Sequence, residues 1–505
     1  MRKFTLNFFF LLIWLVPFGV FCFYNLGAGV LQSLFTSYTF KVAQFTFFQA
    51  FLSTFIALAV ALIPSNYISK SNSYISFFAE STIFIPFFFP AVSTVVAFSI
   101  IGNFPFLKPF NLLYTLGIIV VANVFYNSPI FVKYIGEALR NIPVSIIENA
   151  CLEGAGSIRI FFRIKLPMVM PSLLKAFFLC FAFCFTNFAI VLGLGGIKFS
   201  TLEVEIATTL SSSMNLSKAL GYGIIQFIIL SFISFLPGLA SSYESDHSER
   251  KPFKSSRFSM LFTALYVFFE FFIVTSGLIF AFYNFYTGRF DFSGIITLFS
   301  AGLNAYYPVL KSLIDSFILS TLTALAVVVL VYLLLKSYSR FTDWIVLSAC
   351  GISNAFLGIV LVYMNIRYSI PYVMLVLCGY LIISAPIAYS FMYQHIRGFP
   401  SEIIEASKVD GASVFQIFKL IELPILMPVF ITVFIQIFAI VFGEFTIAYT
   451  MQLINYFPTV PVVDYAMLSD RRIIESSILN GISVLVIITL FLLSEMIRKR
   501  YRNKI

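Results

Sequence analysis

Apolar stretches long enough to cross a lipid bilayer recur from one end of this 505-residue chain to the other. A helix of roughly 20 residues spans the ~30 Å hydrocarbon core of a membrane. Only 11% of the residues are charged and 60% are hydrophobic, whereas soluble domains carry about 25% charged residues. A water-soluble fold could not bury so much apolar surface, so the sequence predicts an integral membrane protein.

The spans are predicted to be helices. A helix satisfies its own backbone hydrogen bonds in lipid, and the long unbroken runs lack the alternating pattern of an outer-membrane barrel. We therefore predict an all-α membrane protein with about twelve transmembrane helices, at residues 6–24, 42–64, 77–101, 111–132, 169–194, 219–240, 259–283, 308–335, 343–365, 371–392, 427–450 and 477–497. The first run could imitate a secretory signal, but no small-residue cleavage site follows it, so we interpret it as the first span.

The distribution of basic residues predicts the orientation. Most of the 32 Lys and Arg fall in cytoplasmic segments when the N-terminus is placed inside, and basic loops are retained on the cytoplasmic side. The sequence thus predicts a multi-pass protein of the cytoplasmic (inner) membrane with both termini in the cytosol. This topology and the anionic inner leaflet explain the net charge of +10 without a nucleic-acid partner.

The chain contains an internal repeat. Matched residues lie 257 positions apart (411 − 154 = 257), and they are Pro129 and Pro386, Arg140 and Arg397, Pro143 and Pro400, Gly154 and Gly411, Leu166-Pro167 and Leu423-Pro424, and Met170-Pro171 and Met427-Pro428. Segments 53–59 and 320–326 match at an offset of 267 (320 − 53). Each half holds an even number of spans, which predicts two parallel six-helix repeats. The predicted halves are residues 1–240 and 258–505, joined by a cytosolic linker at 241–257.

The best-matched part of the repeat is polar and cytosolic, at about 136–167 and about 393–424. The first copy contains Glu148-Asn-Ala-Cys-Leu-Glu-Gly-Ala-Gly, the second contains Glu405-Ala-Ser-Lys-Val-Asp-Gly-Ala-Ser, and each closes with Leu-Pro. The pattern predicts a short helix that stops at a glycine with positive φ, then a second short helix that ends at Leu-Pro. Lipid packing cannot explain this similarity. The alternative is that the two loops are alike only because the gene was duplicated. In that case a loop without a function should have diverged faster than the lipid-facing spans.

Both segments resemble the EAA loop of ABC importer permeases, with its Glu-Ala-Ala, a Gly six residues after the Glu and a closing Leu-Pro. The resemblance implies the type I ABC importer permease fold, in which this loop is the coupling helix that docks on an ATPase subunit. It assigns ATPase coupling to Glu148, Ala150, Gly154, Ala155, Leu166, Pro167, Glu405, Ala406, Gly411, Ala412, Leu423 and Pro424. The two copies depart from the family pattern at Asn149, Glu153 and Ser407.

The fused layout of two halves is similar to the permeases for ferric iron and for thiamine, on the segments 187–196, 201–206 and 443–445. The resemblance implies two ATPase subunits, one on each loop. It also implies an extracytoplasmic substrate-binding protein that delivers substrate to outer loops at about 196–217 and 451–475. A ferric iron or thiamine-like solute is favoured, and polyamines, sulfate and phosphonates stay open.

The sequence predicts that the chain itself is not an enzyme. No G-x-x-x-x-G-K-[ST] motif occurs, so ATP hydrolysis is assigned to partner subunits. With two His, and six Cys without C-x-x-C spacing, no metal site, cofactor or His-based triad is predicted.

One rival interpretation is a gradient-driven secondary transporter of twelve spans, which predicts no matched docking loops. Another is a membrane-embedded enzyme, which requires clustered His, Asp or Ser near one membrane face.

Ionisable residues inside membrane spans are costly and therefore suggest a function. The candidates are Glu270, Asp315 and Glu444. Glu444 has a polar counterpart in the first half, Asn187 (444 − 187 = 257). Our hypothesis is that these two residues line the translocation path or its gate. The alternative is that both residues cap or pin helices through hydrogen bonds inside the bundle.

Overall fold

The described part of the chain is mostly helical. The structure, a computed structural model, describes residues 2–27, 29–30, 34–70, 76, 79, 83, 86, 89–104, 107–212, 215–235, 256–279, 282–284, 289–290, 292–339, 342–343, 345–346 and 349–502. Within them one short antiparallel hairpin pairs Tyr283–Asn284 (β1) with Arg289–Phe290 (β2). The prediction of an all-α membrane protein is confirmed.

The described α-helices are numbered here in chain order. They are α1 Arg2–Asn25, α2 Ser37–Lys70, α3 Ala91–Gly102, α4 Leu116–Arg140, α5 Val144–Leu152, α6 Ser157–Ile160, α7 Leu166–Phe185, α8 Leu202–Ser212, α9 Leu216–Phe235, α10 Arg257–Ile279, α11 Ser293–Leu298, α12 Ala301–Tyr306, α13 Val309–Lys336, α14 Asn354–Tyr368, α15 Tyr372–Arg397, α16 Ser401–Val409, α17 Val414–Ile417, α18 Leu423–Phe442, α19 Thr446–Thr450, α20 Val460–Ser469 and α21 Ile473–Arg502.

Ten helices of the described chain are long and apolar enough to cross a membrane. The predicted third and ninth spans correspond to shorter described helices, α3 with 12 residues and α14 with 15. Part of each of these two predicted spans lies outside the described residues. The count of twelve spans and the parallel arrangement of the halves stay predictions.

The sequence repeat is also a repeat of helix boundaries. Helices α4 and α15 end at Arg140 and Arg397, which are 257 positions apart, and a proline follows three residues later in each half. Proline disfavours helical backbone in the residue before it, which helps to end both helices there. The helices α7 and α18 both begin at Leu-Pro. A π-helical turn ends directly before each Leu-Pro, at Lys165 and at Glu422, so the prediction that a short helix ends at Leu-Pro is wrong.

Contacts between residues divide the chain into two compact units, 27–290 and 1–26 with 291–505. In the first unit α10 packs on α2 and α3. In the second unit α1 packs on α14, and also touches α13 and α15. The first helix of each predicted half therefore clusters with helices of the other half. Most of the predicted linker, residues 241–255, lies outside the described residues.

Candidate coupling loops and intramembrane polar residues

The two loop segments have the same backbone. In the first, α5 and α6 are separated by a turn, and a π-helical turn at Phe161–Lys165 leads into α7. In the second, α16 and α17 are followed by a π-helical turn at Phe418–Glu422 that leads into α18. Each helix boundary in the second segment lies 257 residues after its counterpart in the first segment. Each loop is thus continuous, through its π-helical turn, with a membrane helix.

A glycine in the left-handed region makes the turn in each loop. Gly154 has φ +79° and Gly411 has φ +80°. The amide of Ala155 donates to the carbonyl oxygen of Ala150 at 2.9 Å, and the amide of Ala412 donates to that of Ser407 at 3.0 Å. These bonds are the C-terminal capping pattern of helices that end in a left-handed residue. A Cβ atom at either glycine would meet no atom within 4 Å, so the requirement for glycine comes from φ and not from crowding.

Large apolar side chains stand exposed at matched positions of the two loops. Leu152 is 86% exposed and its counterpart Val409 is 87% exposed, while Ile158 and Phe415 are 77% and 69% exposed. The predicted coupling residues Glu148 and Glu405 are exposed as well. Exposed apolar side chains at the tip of a polar loop are typical of protein-binding surfaces.

The base of each loop is held against the protein. Ile160 and Ile417, again 257 residues apart, are only 6% and 4% exposed. The residues Leu166 and Leu423 are half-buried, and the prolines that follow them are exposed in both copies. Of the remaining predicted coupling residues, Ala155 and Ala412 are half-buried beside the glycines, Ala150 is half-buried on α5, and Ala406 is exposed on α16.

The membrane end of the second loop carries an ionic network. Glu422, the last residue of its π-helical turn, is 4% exposed and accepts hydrogen bonds from Lys336 Nζ and Tyr332 Oη. Lys336 is the last residue of α13, and its ammonium also lies 5.9 Å from the centre of the Tyr332 ring. The network ties the loop to the end of a neighbouring membrane helix.

The membrane end of the first loop carries a different charge. Lys165 ends the π-helical turn where the second loop has Glu422 (422 − 165 = 257), and Lys70 ends α2 as Lys336 ends α13. Both lysine side chains are half-buried. Arg140 Nη2 donates to the carbonyl oxygen of Ile68 at 3.0 Å, close to the same helix end.

Asn187 lies in a break between two helical segments. Helix α7 ends at Phe185, and a π-helical turn at Val191–Gly195 follows shortly after. Asn187 Oδ1 accepts from the backbone amide of Ile190 at 3.2 Å, and its Nδ2 donates to Asn123 Oδ1 at 2.8 Å. Asn123 in turn donates to Gln49 Oε1 at 3.2 Å. The residue therefore caps a helix and joins a polar chain that crosses α2, α4 and α7.

Glu444 lies in the equivalent break of the second half, between α18 and α19. Its carboxylate accepts from the backbone amide of Ile447 at 3.0 Å, the same i to i+3 geometry as at Asn187, and it is 7% exposed. The structure therefore gives both residues the capping contact that the alternative interpretation describes. A role in the translocation path stays a proposal.

The two other intramembrane acids are buried. Glu270, 3% exposed, accepts from Ser128 Oγ at 3.3 Å, and that hydroxyl lies 2.9 Å from Tyr266 Oη, so the acid helps to hold α10 on α4. Asp315 is 9% exposed and lies in the second turn of α13. Among the described residues no group of three or more His, Cys, Asp or Glu could hold a metal ion.

Sequence reasoning missed two buried acids in the short helices α8 and α20. Gln226 donates to Glu203, which is fully buried at the start of α8. Ser476 Oγ donates to Asp464 Oδ1 at 2.6 Å, and Asp464 is 1% exposed. Burial raises the pKa of Asp464 to about 8. A carboxylate inside an otherwise apolar segment, Val460-Pro-Val-Val-Asp464, was the available signal.

Comparison with known proteins finds no matching family model but several related permeases. A probable transport system permease protein of Clostridium pasteurianum is 22% identical over 223 residues, 41% of this chain and 77% of that protein. A thiamine transport system permease protein of Haemophilus influenzae is 27% identical over 204 residues, 36% of each. A putative 2-aminoethylphosphonate transport system permease protein of Salmonella typhi is 28% identical over 100 residues, 20% of this chain and 35% of that protein. The matches to the thiamine permeases span little more than a third of their length.

Proposed function

We propose, from the similarity of this chain to permease proteins of transport systems, that it is the transmembrane subunit of an ATP-driven ABC importer. One observation carries the proposal. Two exposed loops share a left-handed glycine, the same capping bonds and matched exposed apolar side chains. A pair of such surfaces fits two copies of a cytosolic partner.

The proposed partners are two ATPase subunits, one on each loop, and an extracytoplasmic binding protein. The chain lacks a phosphate-binding G-x-x-x-x-G-K-[ST] motif, so hydrolysis of ATP belongs to the partners in this proposal. The binding protein would face the segments at about 196–217 and 451–475, which include α8 and α20. Both termini would lie in the cytosol, as the distribution of basic residues predicts.

The proposed mechanism is alternating access. Approach of the two ATPase subunits on binding ATP would move the loops. Because each π-helical turn runs directly into α7 or α18, a displaced loop carries its membrane helix with it. ATP and the loaded binding protein would then shift one equilibrium between inward-open and outward-open states, each by binding one state more tightly.

The proposed path passes the breaks that contain Asn187 and Glu444. Irregular backbone at membrane depth is tolerated only where it is buried in protein or lines a water-filled cavity. Capping of a helix and contact with a passing solute are compatible roles, since each side chain has more than one polar atom. The solute is proposed to be small and of the ferric iron or thiamine type, and the relatives that carry thiamine and 2-aminoethylphosphonate in their names support small polar solutes in general.

Binding of a candidate ATPase to the purified chain tests the proposal. In the double variant Gly154→Val/Gly411→Val a β-branched residue must adopt φ near +80°, which L-residues other than Asn and Asp rarely do. We expect this variant to lose the ATPase in a pull-down. The matched control, Gly154→Asn/Gly411→Asn, adds a side chain of similar size that tolerates this φ and should retain it.

Two results would contradict the importer proposal. One is that no ATPase associates with the wild-type chain. The other is that the valine double variant binds the ATPase and stimulates ATP hydrolysis as well as wild type. In either case a gradient-driven transporter of twelve spans becomes the leading hypothesis, and uptake that depends on an ion gradient would be the next measurement.

A further inference from the structure

The predicted outer connection after the first helix is much longer in the second half than in the first. Between α1 and α2 the chain has 11 residues (37 − 25 − 1), whereas between α10 and α13 it has 29 (309 − 279 − 1). The longer connection contains β1, β2, α11 and α12. Its residues 292–310 include no Asp, Glu, Lys or Arg. Connections that face water are usually polar, so this segment has the composition of a different environment.

Helix α11 carries apolar surface on two opposite sides. Gly294 and Leu298, four residues apart, share the inner side, and Leu298 is fully buried. Ile296 is 78% exposed, and Phe299, directly after the helix, is 37% exposed. At about 100° of rotation per residue these two positions lie across the helix axis from the inner side. A helix that is apolar all round belongs in a protein core or in a membrane.

Two contacts fix the level of α11 along the spanning helix α21. A Cβ atom at Gly294 would overlap Ile478 Cδ1 and lie 3.2 Å from Ile474 Cγ2, so the backbone of α11 lies against the first two turns of α21. The guanidinium of Arg472, directly before α21, lies 5.6 Å from the centre of the Tyr307 ring. The charged group marks the water side and the isoleucines mark the start of the apolar span. Helix α11 therefore lies at the boundary of the membrane.

The polar side chains of the connection bond to its own backbone. Thr297 Oγ1 donates to the carbonyl oxygen of Ser293 at 3.2 Å. Asn304 Nδ2 donates to the carbonyl oxygen of Leu298 at 3.0 Å, and its Oδ1 accepts from the backbone amide of Leu310 at 3.1 Å. Polar groups that are paired within the segment suit a medium that is poor in water.

We propose that the exposed face of α11 binds the acyl chains of lipids at the outer boundary of the bilayer. This face consists of Phe292, Ile296 and Phe299. Ile474 of α21, against which α11 lies, is itself 44% exposed, so the lipid-facing surface of that spanning helix continues onto α11. The short helix is then buried by α21 on one side and by lipid on the other, as an interfacial helix is. The choice of the outer leaflet rests on the proposed orientation.

Quenching of a single tryptophan by lipids with brominated acyl chains tests this surface. The native Trp14 and Trp344 are replaced by phenylalanine, and Ile296→Trp is introduced into the full-length chain in phosphatidylcholine vesicles. Ile314→Trp is the positive control, because Ile314 is 59% exposed on the spanning helix α13. Val414→Trp is the matched negative control, because Val414 is an apolar residue, 83% exposed, in a short helix of the second loop.

We expect brominated lipid to quench Ile296→Trp about as strongly as Ile314→Trp and several-fold more strongly than Val414→Trp. Iodide in the aqueous phase should quench the three variants in the reverse order. Phe292→Trp exchanges one aromatic residue for another on the same face, so it repeats the measurement if Ile296→Trp does not fold.

Two results would overturn the proposal. Quenching by iodide without quenching by brominated lipid would place the face in water, and protection by an added candidate substrate-binding protein would then assign the face to that partner. Protection from both quenchers would mean that protein covers the face, and the oligomeric state in detergent would show whether a second copy does so. The measurement contains no ATPase, so failure of the importer proposal in the glycine variants leaves it unaffected. Failure of the lipid contact likewise leaves ATPase docking untouched.

Discussion

The first and second loops share a backbone and differ in charge. Residues 144–165 hold two acids and three bases, a net +1, whereas residues 401–422 hold four acids and two bases, a net −2. Their glycine φ angles differ by only one degree, +79° and +80°. The two copies of the repeat have therefore kept the same loop backbone, while the charges of their side chains have diverged. The two loops therefore offer the same shape to a partner with different electrostatics.

The largest expected effect breaks the ionic network of the second loop. Lys336→Ala leaves the buried carboxylate of Glu422 without its cation, and an uncompensated buried charge is strongly destabilising. Because Lys336 is itself 35% exposed, we expect a loss of roughly 1–3 kcal/mol of stability. Lys70→Ala in the first half is the matched variant and should change stability by about 0.5 kcal/mol or less.

Thermal melting of the two purified variants in detergent checks this difference. A Lys70→Ala variant that melts as far below wild type as Lys336→Ala would contradict it. Such a result would mean that both junctions contribute equally, and that the difference in charge between the two halves has no energetic consequence.

The second prediction concerns Asp464, the buried acid of α20. The folded pKa of Asp464 is raised to about 8 by burial, above the value of about 3.9 for an unfolded chain. The folded state then holds a proton that the unfolded state releases, so stability is greatest below about pH 4 and falls as the pH rises to about 8. Asp464→Asn keeps a side chain of similar size and should remove this contribution.

This prediction is checked by measuring the melting temperatures of wild type and Asp464→Asn between pH 5 and pH 9. The wild type should lose stability relative to the variant as the pH rises. Parallel curves over this range would show that the Asp464 carboxyl does not titrate there.

The smallest expected effect is a difference in salt dependence. Gly411→Val leaves only the net positive loop able to bind an ATPase, and Gly154→Val leaves only the net negative one. Exposed charges are screened by added salt, so the affinities of the two single variants should respond differently as ionic strength increases. Titration of a candidate ATPase at several salt concentrations measures the two slopes. Equal slopes would assign binding to the apolar residues Leu152, Ile158, Val409 and Phe415.

The fold class and the loops could be predicted from sequence because their causes are local. Long apolar runs require helices in lipid, and a glycine six residues after a glutamate in both copies required a left-handed turn, which Gly154 and Gly411 adopt. The predicted similarity to transport permeases rests on the same motif and is confirmed by relatives that are 22% and 27% identical over part of the chain. The roles of the individual loop residues stay predictions.

Other features could not be predicted because they depend on neighbours distant in sequence. The contact between Lys336 and Glu422 joins positions 86 residues apart, and the hydrogen bonds from Asn187 through Asn123 to Gln49 join α2, α4 and the break after α7. Offsets of the repeat could have drawn attention to position 165, since Lys165 opposes Glu422 in charge. The capping of helices by Asn187 and Glu444 was foreseen only as the alternative to a path role.

The π-helical turns have a consequence for the length of the loops. A π-helical turn accommodates one residue more than an α-helical turn, and one residue corresponds to about 100° of rotation about the axis of a helix. The five residues at 161–165 and at 418–422 therefore set the angular phase between the tip of each loop and the buried face of the helix that follows it. Deleting one residue from such a turn would rotate the tip by about a quarter of a circle, although every side chain of the tip would be unchanged.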